Sequence, residues 1–152
     1  MIAPVPIRFD RPRPRLLAGL RRHHRFADAA TGIPAQWAEF LAAPPRALAG
    51  RETFGLFCGH DVAAQVLEYM CATEVEDFAA LPVGTGRLRL TDQRCAVFAC
   101  ASVAASGAMH QAVTETWFPA SGLVPARAPE FELYPPDFDG GGGFEIWTPV
   151  AG

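Results

Sequence analysis

Phe131-Glu132-Leu133-Tyr134 and, after a polar and glycine-rich break, Phe144-Glu145-Ile146-Trp147-Thr148-Pro149-Val150 are two short strand-like runs that close this chain. Each sets a carboxylate two positions before an aromatic. Side chains alternate across a strand, so Glu132 shares a face with Tyr134, and Glu145 with Trp147. If those faces line a cavity, the site is an acid ringed by aromatics. That chemistry suits a flat, cationic organic ligand better than a phosphate, a metal or a peptide bond.

The last run also has a faint counterpart upstream. Tyr69-Met70-Cys71-Ala72-Thr73-Glu74-Val75 overlays Phe144 to Val150 at an offset of 75 residues. Working outward, each half reads strand, helix, strand, strand. In the first half Arg15 to Phe26 is a candidate strand. A helix opens near Thr31, a possible cap, with Pro34 tolerated in its first turn. It carries Trp37, Phe40 and Leu41 at helical spacing and is expected to stop at Pro44-Pro45. Thr53–His60 and Val66–Val75 read as a strand pair. In the second half Gly86 to Val103 reads as one long strand or two, and Ala108 to Phe118 as a helix with Met109, Val113 and Trp117 spaced by four. Pro119 is expected to close that helix, Ser121-Gly122 to turn the chain, and Asp139 to Gly143 to form a loop. The implied fold is α+β: tandem strand-helix-strand-strand units with pseudo-twofold symmetry, one antiparallel sheet, and two main helices on one face. A groove between the helices, floored by both halves, is then the natural ligand site.

Composition narrows the function classes. The chain has 152 residues, half of them hydrophobic, and a formal net charge of −3. That argues for one domain with a real core, and against a general binder of nucleic acid or acidic membrane. All thirteen basic residues are arginine, which reads as coding bias. No stretch approaches the roughly 20 apolar residues of a membrane span, and the N-terminus lacks the order of a signal peptide. A cytoplasmic location is expected. Cys58, Cys71, Cys95 and Cys100 form no metal-knuckle spacing and read as small buried thiols. Residues 1–14, rich in Pro and Arg, are expected to be an extended segment before a domain spanning 15–152.

The ordered set of these pieces resembles a known family, the GyrI-like small-molecule-binding domain, or effector-binding domain, of bacterial transcription activators. The matching stretches are Gly32-Ile33-Pro34 with Trp37 and Phe40; Tyr69, Ala72 and Glu74-Val75; Leu81-Pro82 with Gly84; and Cys95-Ala96-Val97-Phe98. They continue through Trp117-Phe118-Pro119-Ala120-Ser121-Gly122 to the two closing runs. The resemblance implies the tandem fold and a hydrophobic pocket for varied, often cationic, lipophilic compounds. It implies that Glu132 meets the ligand's charge and that Trp147 lines the pocket. The chain departs from the pattern twice. Too little precedes the first strand for a helix-turn-helix unit, so direct DNA binding is not expected. Phe54-Gly55 also stands where relatives often have Tyr-Gly, which removes one hydroxyl.

Glu132 and Trp147 therefore lead the candidate ligand-binding residues, followed by Glu145, Tyr134, Met70, Trp117, Trp37 and Tyr69. Glu145 could equally be a surface partner for an arginine. The aromatics could be plain core. Of Tyr69 and Met70 one should face the groove, and Met70, which aligns with Glu145 in the repeat, is the better candidate. His23 and His24 point to opposite strand faces, and His60 and His110 are isolated in sequence. There is no G-x-S-x-G elbow, P-loop or dinucleotide fingerprint, and no cofactor or metal is expected. The leading expectation is a stand-alone, non-enzymatic binder of aromatic or cationic small molecules. Its rivals are a hydrolase of strained electrophilic natural products and a protein-interaction module acting on a topoisomerase.

Overall fold

The computed structural model describes residues 3–42 and 51–151; the expected helix stop at Pro44-Pro45 falls outside them. The strands are β1 (Arg8–Asp10), β2 (Arg15–Arg25), β3 (Thr53–Asp61), β4 (Val66–Val75) and β5 (Gly86–Leu90), followed by β6 (Cys95–Cys100), β7 (Val124–Pro125), β8 (Glu130–Tyr134) and β9 (Phe144–Ala151). The helices are α1 (Ala29–Leu41), α2 (Ser106–Ala112) and a final turn α3 (Phe118–Ser121). The strands form one sheet in the order β1-β6-β9-β8-β3-β4-β2-β5, with β7 paired to β9 beside that path. Every pairing is antiparallel.

The order is a palindrome of two units. One unit is β2-α1-β3-β4, the other β6-α2-β8-β9, and they meet where β3 pairs β8. β4 and β9, the two runs that overlay in sequence, occupy equivalent places inside their units. The segment Gly86 to Val103 forms two strands that part company: β5 pairs β2, while β6 pairs β9 and β1. The extended N-terminal segment supplies β1.

Alternation gives the sheet two apolar faces. On one, Leu17, Phe54, Leu56, Met70, Phe131, Val97 and Trp147 form a cluster with Leu90 of β5. Leu90 and Val97 belong to strands near opposite ends of the path, so the sheet must curl around this cluster to bring them together. Both helices cover the other face. Met109, Val113 and Trp117 pack on Phe98, Ile146 and Tyr134, and Ile33, Trp37 and Phe40 pack on Tyr69, Cys71 and Leu67. Burying side chains of this size contributes roughly 1.5–3 kcal/mol each before entropy is counted.

Both helix boundaries differ from expectation. α1 begins at Ala29, following a 3-10 turn over Phe26–Asp28, and Thr31 is not its cap; the Thr31 hydroxyl donates back to the Asp28 carbonyl at 3.2 Å. Pro34 lies inside the helix rather than in its first turn. In the second unit Pro119 does not close the helix. A π-helical turn over Val113–Trp117 comes first, and Pro119 sits in the opening turn of α3. A widened turn changes which carbonyl each amide meets, so a residue without an N–H is carried through instead of breaking the helix. Gly122, left-handed at φ 74°, then ends it.

Candidate functional site

β8 places Glu130, Glu132 and Tyr134 on the helix-covered face. Its neighbour β3 sets Gly55 directly opposite Glu132, and β4 sets Cys71 opposite Gly55. Because Gly55 has no side chain, Tyr69 reaches across it. The Tyr69 hydroxyl donates to Glu132 Oε1 at 2.7 Å, and the Tyr134 hydroxyl donates to the same oxygen at 3.0 Å. Trp37 of α1 donates its indole N–H to the Tyr69 oxygen at 2.9 Å and packs edge-on to Tyr134. Glu132 is 5% exposed.

The second oxygen faces α2. His110 Nε2 lies 3.1 Å from Glu132 Oε2, and its Nδ1 lies 2.6 Å from Glu130 Oε1. Glu130 Oε2 accepts the Thr148 hydroxyl at 3.1 Å. Burial lowers the pKa of His110, but its bonds to Glu130 and Glu132 outweigh that and raise it to about 9. Burial, then the nearby Glu132 charge, pushes Tyr69 and Tyr134 well above the ordinary phenol range, so both remain donors. The cluster sets two acids, Glu130 and Glu132, against one imidazole. Among the described residues no buried side-chain nitrogen or oxygen lacks a hydrogen-bond partner.

The structure divides the sequence-derived candidates. Glu132, Tyr134, Tyr69 and Trp37 come together. Trp147, Glu145 and Met70 do not: they lie on the opposite face of the sheet, where Trp147 pairs with Phe131 and Met70 with Leu56. Trp147 stacks on Phe131 at 5.5 Å with the Arg8 guanidinium over its ring. Glu145 receives two bonds from Arg8, at 2.8 and 3.1 Å, and one from the Trp147 indole. An aromatic wall containing Trp147 around Glu132 is therefore corrected to one made of Trp37, Tyr69 and Tyr134. The choice of Met70 over Tyr69 is reversed, because alternation sends neighbours to opposite faces and Tyr69 has the Glu132 side. Trp117 is on the helix side but packs on Phe98 and Phe118, at 5.2 and 4.9 Å. Phe54 also lies on the far face, so the hydroxyl absent there is not missing from the acid's surroundings.

His110 and Glu130 escaped the sequence reading. Their signals were present: His110 precedes Val113 and Trp117 by three and seven, on the inner face of a helix, and Glu130 shares strand parity with Glu132. Gln36, 1% exposed, was missed for the same reason. Its amide donates to the Leu20 and Tyr69 carbonyls, and its oxygen meets His24 at 2.6 Å. Burial raises the Cys95 thiol to about 12, which makes it a poor nucleophile.

Two hollows lie near the sheet, and Glu132 lines neither of them. One, of about 370 Å³, lies between the π turn, α3 and strands β8 and β9, and is bounded by Phe118, Pro119, Leu123, Pro149, Thr148 and Glu130. The other, of about 550 Å³, lies by Glu52, Glu74 and Pro136. On the helix side His110 lies against Glu132 Oε2, and Trp37 rests on Tyr69 and Tyr134, the two donors to Oε1.

Two tandem units forming one curled antiparallel sheet beneath two helices define a domain of the GyrI-like fold. The chain belongs to the Cass2 family of integron-associated effector binding proteins, whose sequence pattern matches residues 14–150. Its fold is similar to that of an integron cassette protein from the mobile metagenome of Vibrio cholerae, at 15% identity and a TM-score of 0.65, covering 95% of both chains. It is likewise similar to SAV2435 bound to tetraphenylphosphonium, at 19% identity and a TM-score of 0.70, covering 95% of this chain and 93% of that one. A third likeness is to the EcmrR C-terminal domain, at 12% identity and a TM-score of 0.64, covering 95% and 96%. At these identities the likeness is one of fold. Among curated proteins none is similar enough in sequence to match this chain. The family and these folds support small-molecule binding. No described helix is long and apolar enough to cross a membrane.

Proposed function

We propose that this protein is a cytoplasmic receptor for a lipophilic, aromatic organic cation, whose charge Glu132 meets once Trp37 and His110 move aside. It would serve in sequestration of such compounds or in sensing them as effectors. The observation that carries the reading is the buried Glu132 carboxylate, in a cluster that sets two acids against one imidazole. A carboxylate away from water is costly unless its charge is met. Three donors keep it in place, yet the cluster holds one acid more than it has bases. Trp37, Tyr69 and Tyr134 offer ring faces to a cation with an apolar body. That SAV2435 holds tetraphenylphosphonium on a similar fold supports the class of ligand.

Calorimetry with tetraphenylphosphonium and with tetraphenylborate, an anion of the same shape, tests the reading. The cation should bind and the anion should not. Glu132→Gln should weaken the cation by roughly 1–3 kcal/mol, the scale of one charge-assisted contact. Equal affinity for the two ions, or for the two proteins, would remove Glu132 from the role.

A hydrolase is the second reading, favoured by one observation: His110 bonded to Glu132 places an acid–base partner beside the acid. Product exceeding one equivalent per protein from a strained electrophilic aromatic substrate, lost in Glu132→Gln, would identify it.

A further inference from the structure

We propose that His110 determines the selectivity of this site: its proton and a ligand cation compete for the charge of Glu132, so that each weakens the binding of the other. This rests on the reading that Glu132 receives a cation. The geometry places an acid within hydrogen-bond reach of both ring nitrogens of His110. Nδ1 is 2.6 Å from Glu130 Oε1 and Nε2 is 3.1 Å from Glu132 Oε2. A neutral imidazole has one N–H, and its other nitrogen would turn a lone pair toward a carboxylate oxygen. Against two ionised carboxylates, only the imidazolium satisfies both contacts. The ring thus holds, from within the protein, the place against Glu132 that an external cation would take.

The surroundings leave His110 alone in that role. From β8 it faces Glu130 and Glu132. From β3 it faces Phe57, edge-on at 5.0 Å, behind which His60 stacks at 6.2 Å. Beyond the two acids stand neutral hydroxyls, Tyr69 of β4, Tyr134 of β8 and Thr148 of β9. On its own helical segment, Glu115 is exposed and bonded to Gln111. Among the described residues, no arginine pairs with Glu130 or Glu132. The arginine ion pairs of the described residues lie elsewhere, on acids such as Glu39, Glu68, Glu74 and Glu145.

The proton also has a way out. The Glu130 side chain is 26% exposed against 7% for Glu132, and it borders the 370 Å³ hollow. A proton leaving Nδ1 passes by Glu130 to water in that hollow, and the ring left behind is neutral. The imidazolium repels a bound cation, and by linkage the bound cation lowers the proton affinity of the ring by the same factor.

Two measurements on the intact protein test this. First, tetraphenylphosphonium affinity is followed by calorimetry from about pH 7 to about pH 10, across the His110 value near 9, in buffers of low and high ionisation enthalpy. The wild-type affinity should rise roughly 5- to 150-fold, the usual span of such couplings, with protons released on binding at the lower pH. His110→Gln should bind more tightly near pH 7 and show little further rise. Second, nitrogen NMR of the ligand-free wild type near pH 7.5 should find both ring nitrogens of His110 protonated. This arm needs no variant and no ligand. Binding by the wild type without pH dependence, a rise of equal size in His110→Gln, or a neutral ring near pH 7.5 would each overturn the role of His110 and leave the Glu132 reading standing. Absence of cation binding by either protein at every pH would overturn both.

Discussion

Glu132 is ringed by donors because the residue facing it across the sheet is glycine. A Cβ built on Gly55 would stand 1.9 Å from the Tyr69 hydroxyl oxygen and 2.6 Å from Glu132 Oε1. Those are distances a non-bonded Cβ cannot keep, and Tyr69, 1% exposed, has little room to retreat. Gly55→Ala should therefore expel the tyrosine from its bond to Glu132 and destabilise the fold by roughly 1–3 kcal/mol, as overpacking does. Denaturant unfolding gives the energy. A change in Trp37 emission, whose indole N–H rests on the Tyr69 oxygen, reports the displacement. An alanine variant with unchanged stability and emission would show that the close approach at Gly55 is not a constraint.

At the scale of the element, α1 is fastened by a polar residue in an apolar stripe. Gln36 lies between Ile33 and Phe40 on the inner face, and its amide binds carbonyls of two strands, β2 and β4. Gln36→Leu keeps the volume but takes the amide from the Leu20 and Tyr69 carbonyls and the side-chain partner from half-buried His24. The expected cost is about 1–3 kcal/mol for buried polar groups left short of partners. Hydrogen exchange should quicken across 29–41 more than across α2, and uniform protection in the variant would remove Gln36 as the fastener. The second helix teaches a different point. The spacing of Met109, Val113 and Trp117 was legible, and so was the helix; the π turn was not. Periodicity reports which side is buried. Whether the chain stops at Pro119 or widens a turn to pass it depends on packing against Phe98 and Ile146 across the interface.

Across the whole molecule, the balance of stability with pH reflects His110. Its pKa in the folded state, about 9, exceeds the 6.5 of an unfolded histidine. The stabilisation from its two carboxylate partners is therefore complete below about pH 6.5 and lost as pH rises through about 9. On the order of 1–3 kcal/mol should disappear over that interval, read as a falling urea midpoint. His110→Gln should flatten the fall. Opposite in sign, Arg22, Arg21 and Arg13 hold Glu39, Glu68 and Glu74 below the ordinary carboxylate range. What these contribute fades as pH drops, and their exposure makes the contribution small. A wild-type midpoint that is flat from pH 6.5 to 9.5 would contradict the placement of His110 between two acids.

By itself the sequence determined the main strands and helices, their doubling, and the parity that groups Glu132 and Tyr134 on one strand face. These follow from local spacing, because the backbone fixes side-chain direction every two residues in a strand and every three or four in a helix. Only the tertiary structure decided which faces meet. It set Trp147 and Glu145 with Arg8 on the far side of the sheet, and it brought His110, 20 residues before Glu130 in the chain, between two acids. Alternation says that two residues point apart. It does not say which of them a distant helix will cover, because that choice is made by the curl of the sheet and the burial of whole clusters at once.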